Sequence, residues 1–291
     1  MPLLASNATT LADISRALGP DGTLAPWINI ASQSNGILDT MQWAPGNLPT
    51  GNRTTQLVGL PQGTFRLLNR GVRPTTERTA TVMDTSAMLE TFSVVDRAAA
   101  DMTNDPQRYR LNRDRAFMQG IAQQLSTALF YGNTAADPAA FNGLAVRYNS
   151  LSAPTGANVL DALGTGSNNT SIWLVVWGED AICGMYPKGS VAGLQVRDVS
   201  GDQPIVNADG TRFMAYQTHF KWDCGLMVND WRYAVRVCNI DVPALRAGTG
   251  ANVINQMIEA LARVPVLPSG TGAINGSAGM GAEAAPVNPG N

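Results

Sequence analysis

Charged residues and lysine are scarce in this chain. Only 14% of its 291 residues are charged, against the about 25% that is typical of soluble domains. Lys188 and Lys221 are its only lysines, and the formal net charge is −2. This balance supplies no overall electrostatic attraction to nucleic acid. The weakly polar surface suits a subunit that neighbouring copies cover, although an ordinary Ala- and Gly-rich soluble protein would show the same composition.

Cysteine is rare as well, and no secretion or membrane-spanning segment is visible. Cys183, Cys224 and Cys238 are odd in number and widely spaced, which predicts reduced, packed thiols rather than a disulfide framework. No charged start followed by an apolar run opens the chain. Its longest apolar run is far shorter than the about 20 residues that span a bilayer. We therefore expect a soluble product, made in the cytoplasm, with no membrane partner.

Histidine and cysteine, which are common in catalytic and metal sites, are few, and no motif brings them together. His219 is the only histidine, and no Gly-x-Ser-x-Gly motif accompanies it. A zinc site would need His219 to converge with the three cysteines. His219 and Cys224 are an odd number of residues apart, however, and would point to opposite faces of a strand. A histidine on the polar face of a strand is the simpler interpretation.

Two glycine pairs invite comparison with nucleotide-binding loops. Gly164 and Gly166 precede an expected strand, whereas the dinucleotide motif requires a helix there. Gly248 and Gly250 precede an expected helix, but Val253 stands where the third glycine belongs. We interpret both pairs as turns, and the sequence predicts no enzyme activity and no cofactor. A nucleotide-binding α/β enzyme with its phosphate site at the second pair is the alternative.

Two stretches carry strong strand patterns. The consecutive apolar residues 172–177 end at Gly178 and predict a strand buried on both faces. Residues 216–228 alternate between apolar and polar types, and residues 231–237 alternate again after turn-forming residues at 229–230. This arrangement predicts a long hairpin, buried on one side, next to the first strand.

Residues 46–80 predict an extended β-hairpin with too few apolar residues to pack as a core. Its legs are expected at 54–60 and 64–72, joined by a Pro-Gln-Gly turn. A hairpin of this kind is marginal by itself and needs a partner surface. Its arginines are candidates for ion pairs with an adjacent subunit: Arg53, Arg66, Arg70, Arg73 and Arg78.

Helical patterns mark several further parts. Short helices are expected at 10–18 and near 28–41. Asp105 and Pro106 form the start of the next element. From about Arg113 the apolar residues follow helical spacing, which predicts an amphipathic helix of about five turns that ends at Gly132. A later helix is expected over 252–264, and its inner face comprises Val253, Met257, Ile258 and Leu261.

Four arginines cluster near the start of the long helix, namely Arg108, Arg110, Arg113 and Arg115. Contact with nucleic acid is one interpretation of such a cluster. Asp105 and Asp114 lie among these arginines, however, which favours an ion-pair network between subunits. Arg113 and Arg115 are therefore added to the candidate inter-subunit contacts.

A series of short strings runs through the chain from about residue 8 to about residue 267. They are PGNLPTGNRTT, RLLNRGV, MLETFSVVDRAAAD, RDRAFMQGI, FYGN, NNTSIWLVVWG, YPKGS, KWDCGL with DWRY, and RVCNIDV. Together they resemble the major capsid proteins of tailed bacteriophages, in particular the short-tailed phage group with the Hong Kong 97-type shell fold. No single string is a functional signature, and the resemblance depends on their number and order.

The resemblance implies an α+β, Hong Kong 97-like capsid fold with a long spine helix. On that basis residues 1–45 form an N-terminal arm and 46–80 an extended hairpin loop that lies across the neighbouring subunit. Residues 81–150 form a peripheral domain with the spine helix, and 151–264 an axial domain built on a central sheet. Residues 265–291 are expected to be an irregular tail, which departs from the family, where further strand-forming sequence follows the late helix.

The resemblance also implies a structural protein that self-assembles, as hexamers and pentamers, into the icosahedral shell around phage DNA. Its implied location is the virion capsid, after assembly in the bacterial host cytoplasm. The implied partners are other copies of the chain, cementing or decoration, scaffolding and portal proteins, and packaged DNA on the inner face. An encapsulin-like nanocompartment shell is the alternative within the same fold.

Some shells of this fold are cross-linked through a lysine on the extended loop. Residues 46–80 contain no lysine. We therefore expect a non-covalent shell.

Overall fold

The computed structural model describes residues 36–103, 105–166, 168–201, 204–207 and 209–265. The helices of this part are α1 (Gly36–Thr40), α2 (Arg97–Asp101), α3 (Pro106–Tyr131), α4 (Leu144–Arg147), α5 (Val242–Arg246) and α6 (Val253–Arg263). The strands are β1 (Trp43–Pro45), β2 (Gly51–Gly59), β3 (Arg78–Asp96), β4 (Val159–Asp161), β5 (Asn169–Val175), β6 (Ile182–Tyr186), β7 (Gln195–Asp198), β8 (Ile205–Val206), β9 (Arg212–Phe213), β10 (Ala215–Val228) and β11 (Ala234–Asp241). Single 3-10 turns cover Pro154–Asn158 and Trp231–Tyr233. The short helix expected at 10–18 lies outside the described residues.

The described chain divides into two compact units. Within the described residues, the first contains Trp43–Arg147 and Gly184–Met227, and the second contains Gly36–Gln42, Tyr148–Cys183 and residues 228–265. Each unit is therefore discontinuous, whereas the sequence predicted domains in contiguous segments. The assignment of a peripheral and an axial domain to parts of the chain stays a prediction.

The long strand β3 organises the first unit because it pairs with two different strands along its length. The sheet has the order β1-β6-β10-β3-β2, with β7 also paired to β10. Along β3, residues 78–85 are antiparallel to β2 and residues 86–96 are antiparallel to β10. The first part of β3 therefore builds the hairpin, and the rest joins the main sheet.

Helix α3 has the start and the end that the sequence predicts. The Asp105 carboxylate accepts a hydrogen bond from the Arg108 backbone N–H at 3.0 Å, and Pro106 occupies the first turn. At the other end a Cβ on Gly132 would lie 2.4 Å from the Phe141 carbonyl oxygen, so only glycine fits there. The predicted spine helix is thus confirmed, and it is longer than the periodic segment alone suggested.

The second unit is built on a three-stranded sheet in the order β4-β11-β5. Strand β11 runs parallel to β4 and antiparallel to β5. Val235 and Val237 of β11 are fully buried and pack with Leu160, Ile240 and Ala260 of α6. The core of this unit therefore lies between the sheet and α6.

Two sequence predictions about these strands are wrong. Residues 172–177 are not buried on both faces, because β5 is an edge strand and its apolar residues are only half-buried. Nor do β10 and β11 form a hairpin, since β10 pairs with β3 and β7 while β11 pairs with β4 and β5. A 3-10 turn at Trp231–Tyr233, capped by the Asp230 carboxylate on the Arg232 N–H, separates the two strands. Alternation specifies which face of a strand is buried, and does not specify which strand it pairs with.

The alternation within β10 is confirmed in its first half only. Thr218 and Phe220 are buried, whereas His219 and Lys221 are half-exposed. From Asp223 to the end of the strand every residue is buried. The predicted solvent face therefore stops where β10 enters the interior of the sheet.

Candidate functional site

The base of the hairpin is fixed by a buried ion pair. Asp84 of β3 is 1% exposed, and its Oδ1 accepts a hydrogen bond from Arg147 Nη2 of α4 at 2.6 Å. Next to it Gly51 begins β2, and a Cβ there would lie 1.9 Å from the Asp84 carbonyl oxygen. The charged pair and the close backbone approach together hold the hairpin at one angle to the body of the first unit.

The second leg of the hairpin differs from the sequence prediction. Strand β2 pairs with residues 78–85 of β3, in the register Gly51↔Thr85 to Gly59↔Arg78. Residues 64–72, predicted as the second leg, belong instead to a segment without strand pairing. We call residues 60–77 the loop tip. Residues 64–72 are exposed throughout, and residues 78–85 pair with β2 in their place.

Every residue of the loop tip is exposed. Its large apolar side chains are not shielded: Phe65 is 109% exposed, Leu68 91% and Leu60 77%. This exposure agrees with the sequence prediction that the hairpin has too few apolar residues to pack as a core, although Phe65, Leu67 and Leu68 lie within a few residues of one another. Large apolar side chains that are exposed together mark a contact surface.

Three of the predicted contact arginines lie in the loop tip and two lie beside it. Arg66, Arg70 and Arg73 belong to the tip, Arg53 to β2, and Arg78 begins β3. All five are exposed, and none forms an ion pair with another described residue. Their role as inter-subunit contacts stays a prediction.

The arginine cluster of α3 is not one surface. Arg110 Nη2 lies 2.8 Å from Asp198 Oδ2, and its guanidinium lies 4.6 Å from the ring centre of Tyr216. The hydrogen bonds from Ser200 and Arg110 hold the pKa of Asp198 down at about 2. Arg113 donates to the Tyr109 hydroxyl at 3.3 Å. Arg110 and Arg113 are thus already engaged within the subunit, and exposed Arg115 is the better candidate for an outside partner.

His219 belongs to a charged row on the exposed side of β10. Its ring stacks on Phe92 with centroids 4.4 Å apart, and its Nε2 lies 3.1 Å from Glu90 Oε2. Lys221 Nζ lies 3.7 Å from the same carboxylate and 3.4 Å from Asp223 Oδ2. The histidine is therefore on the polar face of a strand, as predicted. In the described parts of the chain, no group of three His, Cys, Asp or Glu side chains could hold a metal ion.

The three cysteines are free and buried, which confirms the prediction of packed thiols. Burial, together with the negative charge of Asp223, raises the pKa of the Cys224 thiol to about 12. Burial likewise raises the pKa of Cys238. Thiolates are the reactive form of cysteine, so Cys224 and Cys238 are chemically quiet in the folded subunit.

The glycines at 248 and 250 end a helix rather than bind phosphate. Gly248 has φ +73° and its N–H bonds to the Leu245 carbonyl at 3.1 Å, while the Thr249 N–H bonds to the Ala244 carbonyl at 3.0 Å. The following helix α6 is capped by the Asn252 side chain on the Asn255 N–H. This geometry is typical of a helix C-terminus with a left-handed glycine. The turn therefore has a structural explanation that requires no ligand.

A shallow groove of about 340 Å³ lies along α3. It is lined by Thr91 of β3 and by Phe117, Gly120 and Ile121 of α3, among others. Its lining is mostly apolar and contains no nucleophile or titratable group. Among the described helices, none combines the length and the apolar character that crossing a membrane requires.

Comparisons with known proteins agree with this architecture. The family model for the major capsid protein GP7 matches residues 19–279. A solved structure from bacteriophage Epsilon15 is 32% identical with a TM-score of 0.72, and the match covers 94% of this chain and 82% of that one. The capsid of a native GTA particle, 9% identical with a TM-score of 0.50 over 80% of this chain and 99% of that one, shares the fold alone. No curated protein matches the chain in sequence.

An encapsulin complex from Synechococcus elongatus is also similar. It is 12% identical with a TM-score of 0.45, over 75% of this chain and 93% of that one. A similarity at this level carries no argument about function. Nothing in the described structure therefore favours the nanocompartment alternative.

The fold and the family match together define a structural shell protein of bacteriophages. More specifically, the chain belongs to the major capsid protein GP7 family. Its α+β architecture is the Hong Kong 97-like capsid fold that the sequence predicted, and its place is the virion capsid.

Proposed function

We propose that many copies of this chain assemble, as hexamers and pentamers, into an icosahedral shell that encloses phage DNA. The loop tip is the observation that supports this proposal. It extends from a hairpin whose base is anchored by the Asp84–Arg147 pair, and it exposes apolar and cationic side chains with no partner surface on its own hairpin. In this proposal the loop tip lies on a neighbouring subunit, which buries Phe65 and Leu68.

The same proposal covers the setting and the partners of the shell. Assembly takes place in the bacterial host cytoplasm, the role of the chain is structural rather than catalytic, and packaged DNA faces the inner surface without sequence-specific contacts. Scaffolding, portal and cementing proteins are the proposed partners beyond other copies of the chain. The division into an arm (1–45), an extended loop (46–80), a peripheral and an axial domain, and a tail (265–291) belongs to the proposal as well.

Sedimentation and negative-stain imaging of the purified chain test the shell. We expect closed particles or rings of capsomer size, because symmetric contacts that repeat around an axis close on themselves. A monodisperse monomer at high concentration, in salt that permits assembly, would contradict the proposal.

The shell is expected to be held together without covalent bonds. Residues 46–80 contain no lysine, so the loop has no amine for a side-chain amide bond to a neighbour. Particles boiled in detergent should run as a single band at the monomer mass of 30.8 kDa. A ladder of multiples on the gel would show that cross-linking uses another residue.

The loop arginines should contribute to assembly but not to folding. The triple variant Arg66→Ala, Arg70→Ala, Arg73→Ala is expected to lower particle yield and salt tolerance, while circular dichroism stays unchanged. Each exposed pair contributes only about 0.2–1 kcal/mol, but it recurs at every equivalent contact of the shell. Unchanged particle yield would show that these charges are solvated, and loss of the folded signal would place the loop in the core.

A further inference from the structure

A cavity of about 150 Å³ lies between α3, β3 and the turn at residues 137–141, and we call it the α3 cavity. Its most deeply buried lining residues are Leu125, Phe141 and Cys224, each no more than 2% exposed. Alanines from β3, α3 and the turn line much of the rest. The space is therefore present because small side chains stand where larger ones would fill it.

The chain that closes the α3 cavity is tied to the end of α3. The Gly143 N–H donates to the Gly132 carbonyl at 2.8 Å. The Asn142 side-chain oxygen accepts a hydrogen bond from the Thr134 N–H at 3.0 Å. These bonds hold the closing turn in one conformation, so a ligand that enters the cavity does not have to order it.

Asp137 is the only charged residue among those that line the α3 cavity. It is exposed, so it lies at the open side, and its Oδ1 accepts a hydrogen bond from the Ala139 N–H at 3.0 Å. Within the described parts of the chain, Asp137 forms no ion pair. An apolar space with one oriented carboxylate at its opening suits a ligand that has an apolar body and a single positive charge.

We propose that the α3 cavity binds a small aromatic amine, with the ring inside and the ammonium group on the Asp137 carboxylate. An apolar cavity of about 150 Å³ holds one benzene-sized ring, whereas sites for larger ligands begin at about 300 Å³. Phe141 and the sulfur of Met88 favour a ring over an alkyl chain, because both make favourable contacts with aromatic edges. This inference does not depend on the proposed shell, since every residue of the site belongs to one subunit.

Fluorine NMR titration of folded, dissociated subunits with para-fluorobenzylamine tests the proposal. We expect saturable binding that is tighter than that of para-fluorotoluene, which lacks the charge, and of para-fluorobenzoate, whose charge has the wrong sign. The variant Asp137→Asn should weaken binding of the amine by up to about fivefold, as expected for an exposed ion pair. The same variant should leave the affinity for para-fluorotoluene unchanged.

Filling the α3 cavity should abolish binding of both the amine and para-fluorotoluene. The variant Ala128→Leu places a larger side chain in the space that the ring would occupy. The matched control is Ala136→Leu, which adds the same side chain at an exposed position outside the lining and should bind both compounds normally. If circular dichroism shows that Ala128→Leu does not fold, Ala140→Leu makes the same test from the closing turn.

Three results would overturn the proposal. Equal affinity for the amine and para-fluorotoluene, unaffected by Asp137→Asn, would show that the carboxylate does not select an amine. Binding that survives Ala128→Leu and Ala140→Leu would place the ligand outside the α3 cavity. Absence of saturable binding up to about 10 mM would show that the cavity is not a ligand site. Each of these results leaves particle formation by the unmodified chain untouched, which separates failure of this proposal from failure of the shell.

Discussion

The double variant Phe65→Ser, Leu68→Ser is expected to abolish particle formation and to leave a folded, soluble subunit. Both side chains are almost fully exposed in the subunit, so their loss costs the fold little. In the proposed shell they are buried on a neighbour, where each contributes about 1.5–3 kcal/mol. Two such losses at every equivalent contact exceed what the loop arginines contribute. Sedimentation measures the loss of particles, and circular dichroism checks the fold.

A matched control lies in the same loop. The variant Gln62→Ser, Thr64→Ser changes two exposed polar residues of the loop tip and should assemble normally. The conservative change Phe65→Leu should retain most of the particle yield, because it keeps an apolar side chain of similar size. Normal assembly of the double serine variant would show that the apolar residues of the loop tip are not part of the contact.

The elements that the sequence predicted well are those specified by local signals. Asp105 and Pro106 begin α3, where the Asp105 side chain accepts from the Arg108 N–H, and Gly132 ends it, where its N–H bonds to the Ala128 carbonyl. Asn252 similarly begins α6. Such signals act within one turn of a helix, so they can be read without knowing the rest of the fold.

Strand pairing and the burial of apolar residues could not be predicted from such local signals. The pattern of β10 indicates a strand but does not identify β3 as its partner, because the pairing depends on residues more than a hundred positions away. Met257, Ile258 and Leu261 of α6 were mistaken for an inner face although they are exposed in the subunit, because the sequence pattern shows an apolar stripe without showing what covers it.

For the candidate contact residues as well, the sequence shows one part and only the structure shows the rest. Arginine clusters are visible in sequence, but only the structure separates Arg110 and Arg113, which bind within the subunit, from the exposed arginines of the loop. Phe65 and Leu68 were overlooked because a polar loop masked them. The string FRLLNR at residues 65–70, with three large apolar residues beside two arginines, was the signal that could have found them.

The largest effect on the fold is expected from breaking the buried pair at the base of the hairpin. The single variant Arg147→Met leaves the Asp84 carboxylate, which is 1% exposed, without its cationic partner in the interior. An uncompensated buried charge of this kind costs about 3–5 kcal/mol, a large share of the about 5–15 kcal/mol that stabilises a typical domain. Urea unfolding of dissociated subunits should therefore show a much lower midpoint for Arg147→Met.

Removing the Asp84 charge as well should recover part of the lost free energy of unfolding. The double variant Asp84→Asn, Arg147→Met removes both charges, and we expect it to be more stable than Arg147→Met alone, because no charge is then buried without a partner. The exposed carboxylate of Asp198, which pairs with Arg110, serves as a control, and Asp198→Asn should change the free energy of unfolding by no more than about 1 kcal/mol.

Equal small effects for Arg147→Met and Asp198→Asn would show that the buried pair does not stabilise the subunit. In that case the angle of the loop would have to be set by the backbone contact between Gly51 and Asp84 alone.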